Sequence, residues 1–241
     1  MEIQGREPVK PYKKSADYSY TLGAFPTIEL IRSKTAAVRE VFVHSTFTDT
    51  ERLGQLCREN SIPMRISDKQ IARLSDKENV FVVGVFEKYE QKLDAGKSQI
   101  VLVGPSNMGN LGTILRTAVG FGIYDIALIS PAADVFHPKV VRSSMGAIFR
   151  LRHQYFEDFA AYRAGNPNQE VFTFMLNGRK QLTVSECPKP KLFSLVFGNE
   201  ATGLDASYLD VGTSILIPQS PDVDSLNLTI AVGVGTFLFT H

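Results

Sequence analysis

Only two cysteines, Cys57 and Cys187, occur in 241 residues, and their separation gives neither a redox pair nor a metal-ligand spacing. A disulfide framework is therefore not expected, and both thiols read as reduced and structural. The four histidines, His44, His137, His153 and His241, are scattered, so no zinc site and no other metal is expected. Net charge is only +1, so no general basic excess announces a nucleic-acid partner, and any such binding must rest on local Lys and Arg. No apolar run approaches the ~18–20 residues of a membrane span. Met1–Lys14 is polar and has no signal-peptide core. The expectation is a soluble cytoplasmic protein with no membrane contact. Also missing is a Gly-x-Gly-x-x-Gly loop, and no acidic residue ends the apolar run Ile123–Ile129, which argues against an ordinary dinucleotide fold.

What is present is an ordinary globular composition, 44% hydrophobic and 21% charged, in a chain long enough for one large or two modest domains. Met1–Ser19 is polar and aperiodic and reads as a loose arm. Ile28–Ser33 is expected to be helical, Glu40–His44 a strand and Thr48–Asn60 a helix started by Thr48 or Asp49. Pro63–Ile66 reads as extended, Asp68–Leu74 as a helix and Val80–Phe86 as an apolar strand. The polar stretch Lys88–Ser98 reads as a linker. A second alternating series follows: strands at Gln99–Val103, Ile123–Ile129, Glu170–Leu176, Leu192–Phe197 and Ser214–Ile217. Helices are expected at Asn110–Val119, Lys139–Met145, Glu157–Ala164 and Ser225–Phe239, with Phe149–Tyr155 extended. This alternation predicts an α/β fold with a mostly parallel sheet covered on both faces, and ligands in such sheets bind beyond the carboxyl ends of the strands.

Three polar segments stand at those ends. Gly104–Arg116 contains Asn110-x-Gly112-x-x-x-Arg116. Asn110 suits a helix cap, and the four-residue spacing carries the Arg116 guanidinium over the bare Gly112 toward the strand end. Leu195–Leu204 runs from a buried strand into a glycine turn with one carboxylate, Glu200, where Gly198 and Gly203 permit close approach to backbone. Ile215–Ala231 ends a strand in a loop with two prolines; Ser225 or Asp224 can cap the last helix, and Asn227 lies in its first turn. Each segment alone is most often a capped helix or a plain turn. Their combination in one α/β unit is the informative feature.

With those residues in view, the chain resembles the SpoU (TrmH-like) branch of the SPOUT methyltransferases. Asn110-x-Gly112-x-x-x-Arg116, Phe197-Gly-Asn-Glu200 with Gly203-Leu204, and Ile217-Pro218 with Ser225-Leu226-Asn227 are similar to its three motifs. Asn107 is a second candidate for the motif asparagine. Val140–Arg150 is similar to the family's usual connection, whereas residues 219–224 depart from its more frequent Met and Gly.

The resemblance implies transfer of a methyl group from S-adenosylmethionine to an RNA ribose 2′-hydroxyl. It implies a deep trefoil knot in residues 97–241, a homodimer, and a site shared between subunits. Residues 21–92 resemble the small ribosomal-protein-like α/β domain that helps such enzymes hold RNA, preceded by a flexible arm at 1–20. By resemblance, backbone groups of Gly198, Ile217 and Leu226 bind the cofactor. Arg116 approaches the ribose or its phosphate, Asn110, Ser225 and Asn227 position the hydroxyl and the arginine, and Glu200 orients Arg116 or caps its loop. Ribosomal RNA is favoured over transfer RNA as substrate. The alternatives are a tRNA ribose methyltransferase or an inactive RNA-binding protein of the same fold.

Overall fold

Alternation of side chains across a pleated strand explains how the first part of the chain buries two faces at once. The computed structural model describes residues 9–75 and 79–241. Elements follow in the order β1 (Tyr18–Tyr20), α1 (Ala24–Ser33), β2 (Val38–Val43), α2 (Thr50–Glu59), β3 (Met64–Ile66), α3 (Asp68–Leu74) and β4 (Val82–Glu87). The sheet order is β1-β4-β2-β3, in which only β2 and β3 run parallel. Val41, Val43 and Val82 pack with Ile31 of α1 and Leu53 of α2, while Phe42, Val83 and Val85 pack with Ile71 and Leu74 of α3 on the other side.

The stretch read as a loose arm is structured where it is described. β1 pairs antiparallel with β4, Val9 is buried, and the Tyr12 hydroxyl donates to Asp134. A three-residue strand is too short to show a period, so its pairing was not visible in sequence. Residues 1–8 lie outside the described residues.

The second part comprises β5 (Gln99–Val103), α4 (Met108–Gly120), β6 (Asp125–Ile129), α5 (Pro138–Ser143), β7 (Arg152–Phe156), α6 (Phe159–Gly165), β8 (Glu170–Phe174), β9 (Lys180–Gln181), β10 (Phe193–Phe197), β11 (Thr213–Leu216) and α7 (Leu228–Thr240). Its sheet order is β7-β6-β5-β10-β8-β11-β9, and every pair is parallel. α4, α5 and α7 cover one face around Leu111, Ile114 and Leu115. On the other face Tyr162 of α6 and Tyr208 of the 206–210 3-10 turn pack against Val101 and Val196. Coverage on both faces accounts for strands that are apolar throughout.

Several boundaries differ from expectation. α5 stops at Ser143, because Met145 and Gly146 turn left-handed at φ 50° and 81°. Residues 147–150 form a 3-10 turn before β7 instead of extended chain. The two sheets share one core: the Phe86 ring lies 5.9 Å from Phe136 and 5.1 Å from Phe149, and Arg150 pairs with Glu29 at 2.6 Å. Gly146 is required at this seam, since a Cβ there would lie 2.7 Å from the Glu29 Cβ.

Candidate active site

Strands β5, β10, β8 and β11 lie side by side, so the loops after them open at one edge of the sheet. Between those loops is a cleft of about 320 Å³, within the range that holds a small molecule. Its apolar wall is a stacked pair, Phe174 and Phe197, with ring centroids 4.3 Å apart. α7 approaches this pair through Gly235, where a Cβ would lie 2.8 Å from the Phe174 ring.

The 198–204 loop folds back on its own strand. A Cβ on Gly198 would fall 2.1 Å from the Gly203 carbonyl carbon, so only glycine fits. Asn199 and Gly203 exchange backbone hydrogen bonds, Asn199 N to Gly203 O at 3.3 Å and Gly203 N to Asn199 O at 2.9 Å. The Asn199 side chain donates to Gly104 O at 2.6 Å and accepts from Ala201 N at 2.8 Å. Glu200 accepts from the amides of Ser106 and Asn107 at 3.2 and 3.1 Å and from the Ser106 hydroxyl at 3.1 Å. Burial acts to raise its pKa. Donation from its own amide, from those of Ser106 and Asn107 and from the Ser106 hydroxyl outweighs burial and holds the carboxyl below the usual range.

The third loop ends on a cap. Asn227 is the N-cap of α7, its side-chain oxygen accepting from Thr229 N at 2.8 Å and Thr229 Oγ1 at 2.7 Å. The helix therefore begins at Leu228, three residues later than expected, and Asn227 replaces Ser225 or Asp224 as its cap. Gln219 folds the loop on itself by donating to Asp224 O at 3.3 Å. The backbone amides of Gly198, Ile217 and Leu226 have no acceptor among the described residues, and all three residues line the cleft. Gly198 is buried and Ile217 and Leu226 are half-buried, so these donors are available to water or to a ligand with acceptors in the cleft.

The start of α4 also shifts. Asn107, not Asn110, is its N-cap, accepting from Gly109 N at 2.9 Å and Asn110 N at 3.0 Å. Gly112 serves contact between helices: a Cβ would sit 1.9 Å from Ser143 Oγ and 2.6 Å from Val140 O of α5. Arg116 is exposed and makes no hydrogen bond or ion pair with another described residue. Neither Asn110 nor Arg116 lines the cleft of its own chain. Glu200 holds the 106–107 loop and makes no contact with Arg116.

Residues 97–237, the part of the chain that builds this cleft, match the model of the SpoU rRNA methylase family. The chain belongs to that family. It is 36% identical over 136 residues to an uncharacterized tRNA/rRNA methyltransferase of Synechocystis, covering 56% of this chain and 50% of that one. It is 27% identical over 161 residues to a 23S rRNA guanosine 2′-O-methyltransferase of Bacillus subtilis, covering 64% and 62%. The chain thus spans half to less than two thirds of the length of these curated relatives. Among solved structures, an AdoMet-bound rRNA methyltransferase from Sinorhizobium meliloti superposes with a TM-score of 0.76 at 25% identity over 92% of this chain and 86% of that one. AviRb of Streptomyces viridochromogenes, with a TM-score of 0.79 at 21% identity over 93% and 89%, shares the fold.

Of the residues expected at a SpoU site, Gly198, Glu200, Ile217, Ser225 and Leu226 come together around one cleft. Asn110 and Arg116 stand apart on α4, and the Asn227 side chain is committed to its cap. Asn107, until here only the second candidate for the motif asparagine, and Asn199, quoted in the second motif without a role, tie the first two loops together. The signal for Asn107 is its place three residues before Asn110, the spacing of a cap to the amide it holds. Among the described residues no group of acidic, His or Cys side chains can hold a metal ion, and no helix is long and apolar enough to cross a membrane.

Proposed function

We propose that the protein transfers the methyl group of S-adenosylmethionine to a ribose 2′-hydroxyl of structured RNA in the cytoplasm, with ribosomal RNA favoured over transfer RNA. The carrying observation is the cleft beyond the parallel strands, lined by three residues whose amides have no acceptor among the described residues and by a stacked aromatic pair. The Bacillus relative is by name a 23S rRNA 2′-O-methyltransferase, and the Sinorhizobium structure holds AdoMet.

The residues present fit that cofactor. Gly198, Ile217 and Leu226 would hold it through their amides, and Phe174 and Phe197 keep water from that side. S-adenosylmethionine, when bound, supplies an electrophilic methyl carbon on a positive sulfur. Arg116 presents a planar, permanently charged fork suited to RNA phosphate and to charge developing on the ribose oxygen. A guanidinium offers donors and no acceptor, which makes it a clamp and not a base. Asn110, six residues before it on α4, and Ser225 at the cleft mouth orient the ribose hydroxyl. Asn227 acts by fixing the loop, and Glu200 by holding the first loop against the second.

The same reading includes a homodimer. α7 is apolar all round, yet Ile230 and Phe237, two turns apart on one face, are 54% and 48% exposed. A second copy seated on this face would cover them, and the exposure of Arg116 away from its own cleft supports a site that a partner completes. The family's trefoil knot belongs here too, with α7 returning from the last strand to pack on α4 and β10.

Incubation of the protein with methyl-labelled S-adenosylmethionine and total RNA tests the reading. Labelled RNA is expected, with Arg116→Ala losing transfer while cofactor affinity is retained; undiminished turnover by that variant would remove Arg116 from the site.

A further inference from the structure

Away from the cleft, exposed apolar side chains collect at one end of the first sheet. His44 follows β2, Ile66 ends β3 and Phe81 precedes β4, and Val43 pairs with both Ile66 and Val82. These pairings bring His44 and Phe81 together on one face, whereas Ile66, in register with Val43, turns to the other. Ile66 is 64% and Phe81 40% exposed, and the His44 and Phe81 rings meet edge to face with centroids 5.7 Å apart. Other rings of the sheet, those of Tyr20, Phe42 and Phe86, are buried, so core packing does not account for Phe81.

This end of the sheet stands beside α4. Asn79 accepts from the Arg142 guanidinium of α5 at 3.4 Å. The next residue, Ser143, donates to Met108 O at the start of α4 at 3.3 Å and packs on Gly112. These contacts connect the residues before β4, through α5, to the start of the helix that carries Asn110 and Arg116. Lys139 and Arg142 of α5 have no acidic partner among the described residues. The carboxylate of Asp68 at this end is occupied by the amide and hydroxyl of Ser45, both at 2.7 Å, with His44 Nδ1 at 3.8 Å.

We propose that this sheet end belongs to the RNA-binding face: Phe81, backed by His44, stacks an unpaired base of the substrate, and Arg142 holds phosphate between that base and the nucleotide at Arg116. The inference rests on the RNA methyltransferase reading above. An exposed ring two residues after Asn79, which holds Arg142, a cation with no acidic partner among the described residues, suits a base offering a π-face and a charged backbone, whereas a regular duplex keeps its base faces stacked away. Protein interfaces instead deplete lysine.

Fluorescence anisotropy on the full chain tests this, with a stem–loop RNA and a blunt duplex of equal length over a salt series. Phe81→Ala is expected to weaken stem–loop binding about tenfold, leaving the duplex and the salt slope unchanged, and Phe81→Tyr to restore affinity. Arg142→Gln is expected to weaken both RNAs and to lower the log–log salt slope by about one. Thermal melts of the Ala variant establish that it folds, and the surface Gln variant reads the second contact independently. Wild-type stem–loop affinity in Phe81→Ala overturns the proposal, as does a change of oligomeric state by light scattering without a change in RNA affinity, which would assign the patch to a protein. Absent cofactor binding and methyl transfer in the unaltered chain would instead overturn the enzymatic reading, because RNA affinity is measured separately.

Discussion

Glu200→Gln should loosen the union of the 104–107 and 198–204 loops without changing the shape of the side chain. The carboxylate accepts three hydrogen bonds, two from amides and one from the Ser106 hydroxyl. The amide isostere keeps one acceptor oxygen and turns an NH2 toward groups that are already donors. A hydrogen bond to a charged group contributes roughly 1.5–3 kcal/mol when shielded. This loop is half-buried and water can replace part of the loss, so about 1–2 kcal/mol is expected, or a melting temperature lower by about 2–8 °C for a chain of this size. The pH dependence has a definite sign. The folded-state pKa is depressed, so the contribution is fully present above the unfolded value near ~4.3 and is lost as pH falls through the lower folded value. Scanning calorimetry of both proteins from neutral to acid pH is the assay, with hydrogen exchange at Gly109 and Asn110 reporting the fraying of α4. Equal melting temperatures at neutral pH, or a difference that persists unchanged as the pH falls until the carboxyl is protonated in both states, would refute the reasoning.

Gly112→Ala should separate α4 from α5, because its Cβ meets Ser143 Oγ at 1.9 Å and backbone at 2.6 Å; a loss of about 1–3 kcal/mol in denaturant titration is expected. Gly120→Ala on the same helix meets nothing within 4 Å and should stabilise by about 0.5–1 kcal/mol, so equal effects at the two sites would contradict the packing argument. His153 is buried with neither ring nitrogen paired, and burial pushes its pKa down to about 4. The unfolded chain takes up the proton first, so stability should fall by up to about 3 kcal/mol between about pH 6.5 and 4. His153→Phe, packed beside Phe136 and Tyr89, should flatten that part of the melting profile. Asn227→Ala should cost about 0.5–2 kcal/mol of stability through the lost cap and weaken cofactor affinity measured by titration calorimetry.

The second sheet was legible in sequence because parallel strands buried on both faces are apolar throughout, as in Gln99–Val103 and Phe193–Phe197. Its loops were legible as strand ends, and five of the eight expected site residues line one cleft. What failed was local. An asparagine in a polar loop can cap at its own position or orient a neighbour, and only the backbone path distinguishes Asn107 from Asn110 or Asn227 from Ser225. Gly112 gave the right motif for a different physical reason, since the space it leaves is filled by Ser143 and not by Arg116. The β1 strand was hidden by its length. The position of Arg116 off its own cleft depends on how α4 sits on α5, which no periodicity encodes.

The most direct measurement of the central claim is the chemical position of the transferred methyl group. RNA labelled by this protein and methyl-labelled S-adenosylmethionine is hydrolysed in alkali, which cleaves only next to a free 2′-hydroxyl. Label recovered in alkali-resistant dinucleotides, and lost with Arg116→Ala, is the expected result. Label in a base-methylated mononucleotide, or no transfer to any RNA despite a bound cofactor, would contradict it.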